Sequence, residues 1–585
     1  MTIEYVTLGL YFLMLIGLGV ALSRLNKNVS DFVRGGAQAT WWLAGASMLM
    51  AGISAFTFTG NASAAFEAGP SMMTIYIANC VAYAISALFL GAWLRQTRAY
   101  TVVDVIRARF GLSAEQFSGY TMLMLNPIAA AIQLWALAVF ASSVFGFALG
   151  ETIVGIGIIV IIYSTIGGRW AIMATDFAQS LILLAVTILV AVLALAKIGG
   201  VSEFLSYFSD PRFAQDFRFV KEAGQFPGDR FTLKWIIVIF FMQLYVQINM
   251  NNASRFLSLK DGREASRASW FAFVLMALGS IIWFIPPMVA RFLYEGEVLA
   301  LNVSNPSEAS YAFIAMKLLP NGMMGVMIAA MFAATISSMD TGVNNQVGIV
   351  VRNIIPRLLS AFGRKPLTDK GELFLCKVVT VILGLMIINF SLIMAGQGAV
   401  ALFDAYLVIA SVIGIPLGFP MLTGLYIRRM PKSSYFTIFA FCLLPSLYSF
   451  YDAWAHGTEW TIQDRALWCF VFGLFGTLVS MAQWKRTRPE ARASIDRFFE
   501  VMLTPVDYLK EIGASMDFRQ LVIMGNTACI TGAVLCLLLL VPNPWTARVG
   551  ILFVAGFILC TGLLLRYGAK VEKRKQQALA KENKA

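Results

Sequence analysis

Long apolar runs alternate with short polar connectors along the whole chain. Fifteen runs approach or exceed the roughly 20 residues that cross a bilayer core as helix. They are 4–24, 41–69, 71–95, 118–147, 151–168, 170–197, 232–256, 270–297, 321–357, 373–395, 399–429, 433–453, 461–483, 519–541 and 546–567. This pattern predicts an all-α polytopic membrane protein of about 15 transmembrane helices. The first run follows Met1-Thr2-Ile3-Glu4, an acidic start unlike the basic n-region of a cleaved signal peptide. Only two hydrophilic stretches are long, 198–231 and 484–518. In the second, Ile495, Phe498, Phe499, Met502 and Leu503 share a helical face. They predict either a helix lying on the membrane surface or a plain linker helix.

Composition agrees: 59% of the 585 residues are hydrophobic and 13% charged, against about 25% charged in soluble domains. The net charge of +13 would suit a polyanion, but its distribution points elsewhere. With the N-terminus outside, 35 of the 45 Lys and Arg fall on inward-facing stretches, the signature of positive-inside topology. The sequence therefore predicts a multi-pass protein of the cell inner (plasma) membrane. Its C-terminus is cytoplasmic, and its partner is the lipid bilayer rather than nucleic acid. Seven cysteines lie inside apolar runs as packing residues, and the one histidine, His456, falls in an outer loop. Nothing here suggests an enzyme. No Gly-x-x-x-x-Gly-Lys-[Ser/Thr] loop is present, which excludes a P-loop ATP-driven pump.

Two runs depart from plain spans. Residues 52–61 place Gly52, Ser54, Thr57, Thr59, Gly60 and Asn61 in mid-crossing, and 243–254 crowd Gln243, Gln247, Asn249, Asn251 and Asn252 together. Glycine lowers helix stability, and short polar side chains compete for backbone groups. Irregular backbone at membrane depth survives only where it lines a cavity or is buried in protein. These segments open two successive five-helix sets, 41–197 and 232–429, and paired interrupted helices point to a transporter site.

Asp176 and Asp340 are the informative charges, since a carboxylate near the bilayer centre costs about 2.5–3.5 kcal/mol on insertion scales. Asp340 follows Ser337, Ser338 and Met339 and precedes Thr341, a turn rich in hard oxygen ligands for a cation. The structural alternative has the two serines bonding back to helix carbonyls and Asp340 capping or pairing with Arg352.

Three stretches then resemble the sodium/solute symporter family of sodium–galactose, sodium–proline and sodium–sialic acid transporters. The first is Ser30-Asp31-Phe32-Val33-Arg34-Gly35-Gly36, running into Trp41-Trp42-Leu43-Ala44-Gly45-Ala46-Ser47 and Ser54-Ala55. The second is Tyr163-Ser164-Thr165-Ile166-Gly167-Gly168-Arg169, continuing to Thr175-Asp176-Phe177-Ala178-Gln179. The third is Ala334-Thr335-Ile336-Ser337-Ser338-Met339-Asp340-Thr341-Gly342-Val343-Asn344. The resemblance covers about residues 1–430. It implies an inverted five-helix repeat, leucine-transporter-like, with extra N- and C-terminal helices and Na+-driven solute import by alternating access. It also implies a sodium ion held by the carbonyls of Ala55, Phe58 and Ala334 and the hydroxyls of Ser337 and Ser338. A second cation site would use Asp176, Ser337, Asp340 and Thr341, where Asp340 replaces a serine of other members.

Residues 1–40 then form an N-terminal transmembrane helix and inner loop, and 41–197 and 232–429 the two repeats. Residues 430–567 supply peripheral transmembrane helices around the cytoplasmic loop 484–518, and 568–585 a cytoplasmic tail. Sugar-transporting relatives carry a lysine where this chain reads Phe273-Val274-Leu275-Met276, and a glutamate near Asn79 and Cys80. An aromatic gate matches Tyr245. The expected substrate walls are Thr57, Asn61, Asn79, Gln133, Gln243, Tyr245 and Gln247, neutral groups with no basic partner for a carboxylate. They favour a neutral sugar or polyol over an amino acid or organic acid, and each amide has interhelical hydrogen bonding as its structural alternative. A non-transporting sensor or channel on the same fold is the rival of another class. The short tail leaves no room for a signalling domain.

Overall fold

The computed structural model describes residues 2–23, 25–248, 253–301, 305–397, 410–458, 460–513 and 515–582. Among these residues all extended regular structure is helical, and the only β pairing is two isolated bridges. Twelve helices are long and apolar enough to cross a membrane. The number falls below fifteen for local reasons. Helix Leu149–Ile198 carries two runs as one 50-residue element. The run 41–69 is broken, its second part merging with 71–95 into one helical stretch. Residues 398–409 lie outside the described residues.

Gly168 is the hinge inside Leu149–Ile198, with φ 54° and ψ −153°, a region essentially reserved for glycine. A Cβ there would also meet the Phe32 ring at 2.8 Å. The Gly167-Gly168 pair thus separates the two runs without ending the helix.

The interruption expected at 52–61 is present. Helix Trp41–Ala51 stops, a single turn Ala55–Phe58 follows, Thr59 leaves helical geometry (φ −118°, ψ −88°), and helix Gly60–Ala68 resumes. The side chains act as competition with the backbone requires. Thr57 Oγ1 accepts the Ser54 N–H at 3.3 Å, and the Thr59 hydroxyl donates to the Ala55 carbonyl at 3.2 Å. At the second expected break, helices Leu233–Ile248 and Ala253–Leu257 flank residues 249–252, which lie outside the described residues. Helix Met323–Ile349 is buried along nearly its whole length. It packs against Thr2–Ser23, Leu112–Phe145 and Leu149–Ile198, and so forms the centre of the bundle.

Three outlying segments close the fold. Helix Pro489–Leu503 buries Ile495, Phe498, Phe499 and Met502, while Leu503 is exposed. This face packs on helices Gly91–Gln96 and Val102–Phe110, so the segment is braced on protein. Helix Asp517–Cys536 reaches the core directly. Gln520 Oε1 accepts the Thr40 N–H at 3.1 Å and the Thr40 hydroxyl at 3.0 Å, and its Nε2 donates to the Gln38 carbonyl at 2.8 Å. At this point the chain after 430 is not peripheral: it grips the residues that launch the interrupted helix. The stretch 198–231 folds over the end of helix Gly60–Ala68, where Ser71 Oγ donates to the Phe219 carbonyl at 2.8 Å and Lys221 Nζ to the Ala68 carbonyl at 3.0 Å.

Candidate functional site

The residues expected to hold sodium come from two segments that touch. The Ala55 N–H donates to Thr335 Oγ1 at 2.9 Å, which joins the single turn Ala55–Phe58 to helix Met323–Ile349 beside Ala334, Ser337 and Ser338. The Phe58 ring packs edge-on against Tyr311 at 5.1 Å and Trp283 at 6.1 Å, fixing the other side of that turn. Ser337 is buried, and its hydroxyl lies near the Asp176 carboxylate without a hydrogen bond of ordinary geometry to it or to any other described residue. It therefore does not bond back to the helix. A buried hydroxyl left open in this way fits a cation that completes its shell with oxygen.

The four residues of the expected second cation site lie in two different settings. Asp176 Oδ2 accepts a short hydrogen bond from Ser47 Oγ. Arg255 Nε donates to the same Ser47 hydroxyl at 3.1 Å, and its terminal nitrogen donates to Thr341 Oγ1 at 3.1 Å. Arg169 stands behind, donating to Ser258 Oγ at 3.2 Å and Ser254 Oγ at 3.4 Å. Asp340 faces another way: its Oδ1 accepts from Ser164 Oγ at 2.8 Å, and its Oδ2 is buried without a partner among the described residues. Pairing with Arg352 does not occur. That arginine bridges Glu372 at 3.4 Å and lies over the Tyr100 ring.

A cavity of about 430 Å³ adjoins this region, within the range of small-molecule sites. It brings together Gln133, Tyr245, Ser338 and Thr341 of the expected residues, and adds Asn126, Asn345 and Arg255. Tyr245 donates to the Ile415 carbonyl at 3.0 Å and stacks near Phe419 and Phe470. The other expected wall residues are not in the lining. Asn61 Nδ2 donates to the Tyr76 hydroxyl at 2.9 Å, which donates to Thr57 Oγ1 at 3.0 Å. Gln243 Nε2 donates to Asn79 Oδ1 at 2.7 Å. For these four the interhelical alternative describes the structure. Gln247 lies half-buried on the same helix as Tyr245.

Arg255 is not among the residues expected at the site. It and Arg169 count among the Lys and Arg of the inward-facing stretches, yet they are 2% and 0% exposed. The expectation of walls without a basic residue is thereby corrected: Arg255 is the one charged residue in the described lining. The available signal was its place at the end of the run 232–256, directly after the amide-rich segment.

Comparison with known proteins agrees with this arrangement. The chain is 23% identical over 536 residues to the sodium/sialic acid symporter NanT of Aliivibrio fischeri, covering 89% of this chain and 97% of that one. It is 26% identical over 466 residues to the sodium/myo-inositol cotransporter 2 of Bos taurus, covering 74% and 67%. Its fold is similar to the solved structure of a Na+-coupled sialic acid symporter in a substrate-bound, outward-open state. The TM-score is 0.70 at 18% identity, covering 83% of this chain and 98% of that one. The core is thus the leucine-transporter-like fold, and sodium is the coupling ion. The sequence profile of the sodium:solute symporter family matches residues 32–437, and the chain belongs to that family.

Proposed function

We propose that this sodium-coupled symporter imports a small polyhydroxyl solute by alternating access between the repeats 41–197 and 232–429. Sodium is held by the carbonyls of Ala55, Phe58 and Ala334 and the hydroxyls of Ser337 and Ser338. The observation that carries the reading is the position of Ser338, which belongs both to this oxygen set and to the cavity wall. An ion bound there joins the single turn 55–58 to helix Met323–Ile349 and borders the space a solute fills. Each ligand then raises the affinity of the other, as linkage requires.

Asn126, Gln133, Asn345 and Tyr245 supply neutral hydrogen-bonding groups near the cavity, suited to hydroxyls. Arg255 favours a second reading, an organic acid, because it is a cation in the wall. Its donors to Ser47 and Thr341 and its proximity to Asp176 keep the neutral solute first. A thermal-shift screen of polyols, sugars and sugar acids, in sodium and in potassium, separates them. A neutral ligand that stabilises only in sodium is expected; stabilisation by acids alone would give the second reading the cavity.

At a hundredfold excess over its dissociation constant, sodium itself should stabilise the protein by about 2.7 kcal/mol. The double variant Ser337→Ala, Ser338→Ala should lose that response, and an unchanged response would mean the ion binds elsewhere. For import, the N-terminus is outside and the C-terminus cytoplasmic. Cysteine labelling at position 575 from the outside of sealed vesicles would reverse that assignment.

A further inference from the structure

The start of helix Trp41–Ala51 and the end of helix Ala253–Leu257 meet away from the cavity. The Ala39 N–H donates to the Ser258 carbonyl at 2.9 Å, and Ala39 forms an isolated parallel bridge with Leu259. A bridge this short leaves the adjoining polar groups of both segments to find partners elsewhere. One turn of helix Asp517–Cys536 supplies them. Gln520 brackets Ala39: its Oε1 accepts from the Thr40 N–H and hydroxyl, and its Nε2 donates to the Gln38 carbonyl. Three residues earlier, on the same helical face, Asp517 Oδ1 accepts from Lys260 Nζ, which also donates to Ser515 Oγ at 2.9 Å. Thr40, Lys260 and Gln520 are all buried.

The two gripped segments lead directly to the transport site. Helix Trp41–Ala51 runs into the turn Ala55–Phe58, whose Ala55 N–H meets Thr335. Helix Ala253–Leu257 carries Ser254 and Arg255 of the cavity wall. Helix Asp517–Cys536 supplies no residue of the described lining and lies beyond the stretch 32–437 that the family profile matches. We infer that Asp517 and Gln520 are positioning residues for transport. By fixing residues 38–40 and 260 to one helical turn, they hold the turn 55–58 and the wall around Arg255 in a single register. The effect is preorganisation: a turn whose launching helix is already fixed loses less freedom when an ion binds, so the ion binds more tightly. The inference rests on the sodium reading proposed above.

The test uses purified full-length protein with radioactive sodium as the only ligand, beside thermal unfolding in potassium. Gln520→Leu removes the bracket on Ala39, and Asp517→Ala removes the partner of Lys260. Each variant should keep the wild-type number of bound ions and lose about tenfold in sodium affinity, within the range of residues that act without touching the ligand. Reversing the pair, with Lys260→Asp and Asp517→Lys together, should return most of the affinity lost in Asp517→Ala. A helix that only stabilises the fold would lower the melting temperature and leave sodium affinity at the wild-type value. That result in both single variants overturns the inference alone. So does a charge-reversed protein that folds and binds sodium no better than Asp517→Ala. A Ser337→Ala, Ser338→Ala protein with wild-type sodium affinity sinks the sodium reading, and the inference with it. Should Gln520→Leu fail to fold, Gln520→Glu decides by the same measure, since it keeps the acceptor for Thr40 and loses the donor to Gln38.

Discussion

At two of the places where the molecule buries cationic side chains, it does so by opposite means. At the centre, Arg255 meets Asp176 through the Ser47 hydroxyl and reaches across to Thr341, so every link is between side chains of different elements. Under the stretch 198–231, Lys221 instead gives its ammonium to the main-chain carbonyls of Ala68, Asp216 and Arg218. Burial pushes this lysine down to about 8, and the Asp216 carboxylate offsets only part of the lost water. Carbonyls at a helix end are part of the backbone and cannot turn away, which makes the lysine a fastening. Hydroxyls and carboxylates can exchange partners by rotating.

The strongest test of that contrast removes the central cation. Arg255→Met in potassium buffer leaves Asp176 buried and unpaired, and should cost about 3–5 kcal/mol of stability. Adding Asp176→Asn should restore a large part, with a coupling of at least about 1 kcal/mol in the double-mutant cycle. Additive losses would mean that the two residues are not partners.

Lys221→Met should cost less, about 1–3 kcal/mol for hydrogen bonds to a charged group. The effect should be local: faster proteolysis within 198–231 with an unchanged sodium response. A sodium response that falls together with the loop would show that this fastening also belongs to the transport cycle.

The smallest effect is expected at the amides. Gln243→Leu breaks the bond to Asn79 and should change stability by about 0.6 kcal/mol, the average for such bonds between membrane helices. Solute affinity should stay the same, since neither residue lines the cavity. A tenfold loss of affinity would return Gln243 to the solute wall.

Periodicity and composition made the helical character and the break at 52–61 legible, because each depends on the residue sequence within a single crossing; the family was legible only through the three stretches that resemble it. An apolar run needs no partner to be recognised. Gly52, Ser54 and Thr57 disrupt a helix wherever that helix sits. The assignment of individual amides to the cavity was not legible. A buried amide looks the same in sequence whether it faces a solute or a neighbouring helix, and Asn61, Asn79 and Gln243 face neighbours.

By itself the sequence determined that this chain crosses a membrane many times and where its first repeat helix breaks. Those properties follow from local hydropathy and backbone chemistry. Only the tertiary structure decided how the charges are matched. Whether Arg255 lies in water or 2% exposed beside Asp176 depends on how residues 79 positions apart are brought together across Ser47. Tertiary packing likewise turned Asp340 toward Ser164 rather than Arg352, and set Gln520 against the start of the interrupted helix. The facing of two buried charges is a property of two positions in space, and no pattern along one stretch of chain encodes it.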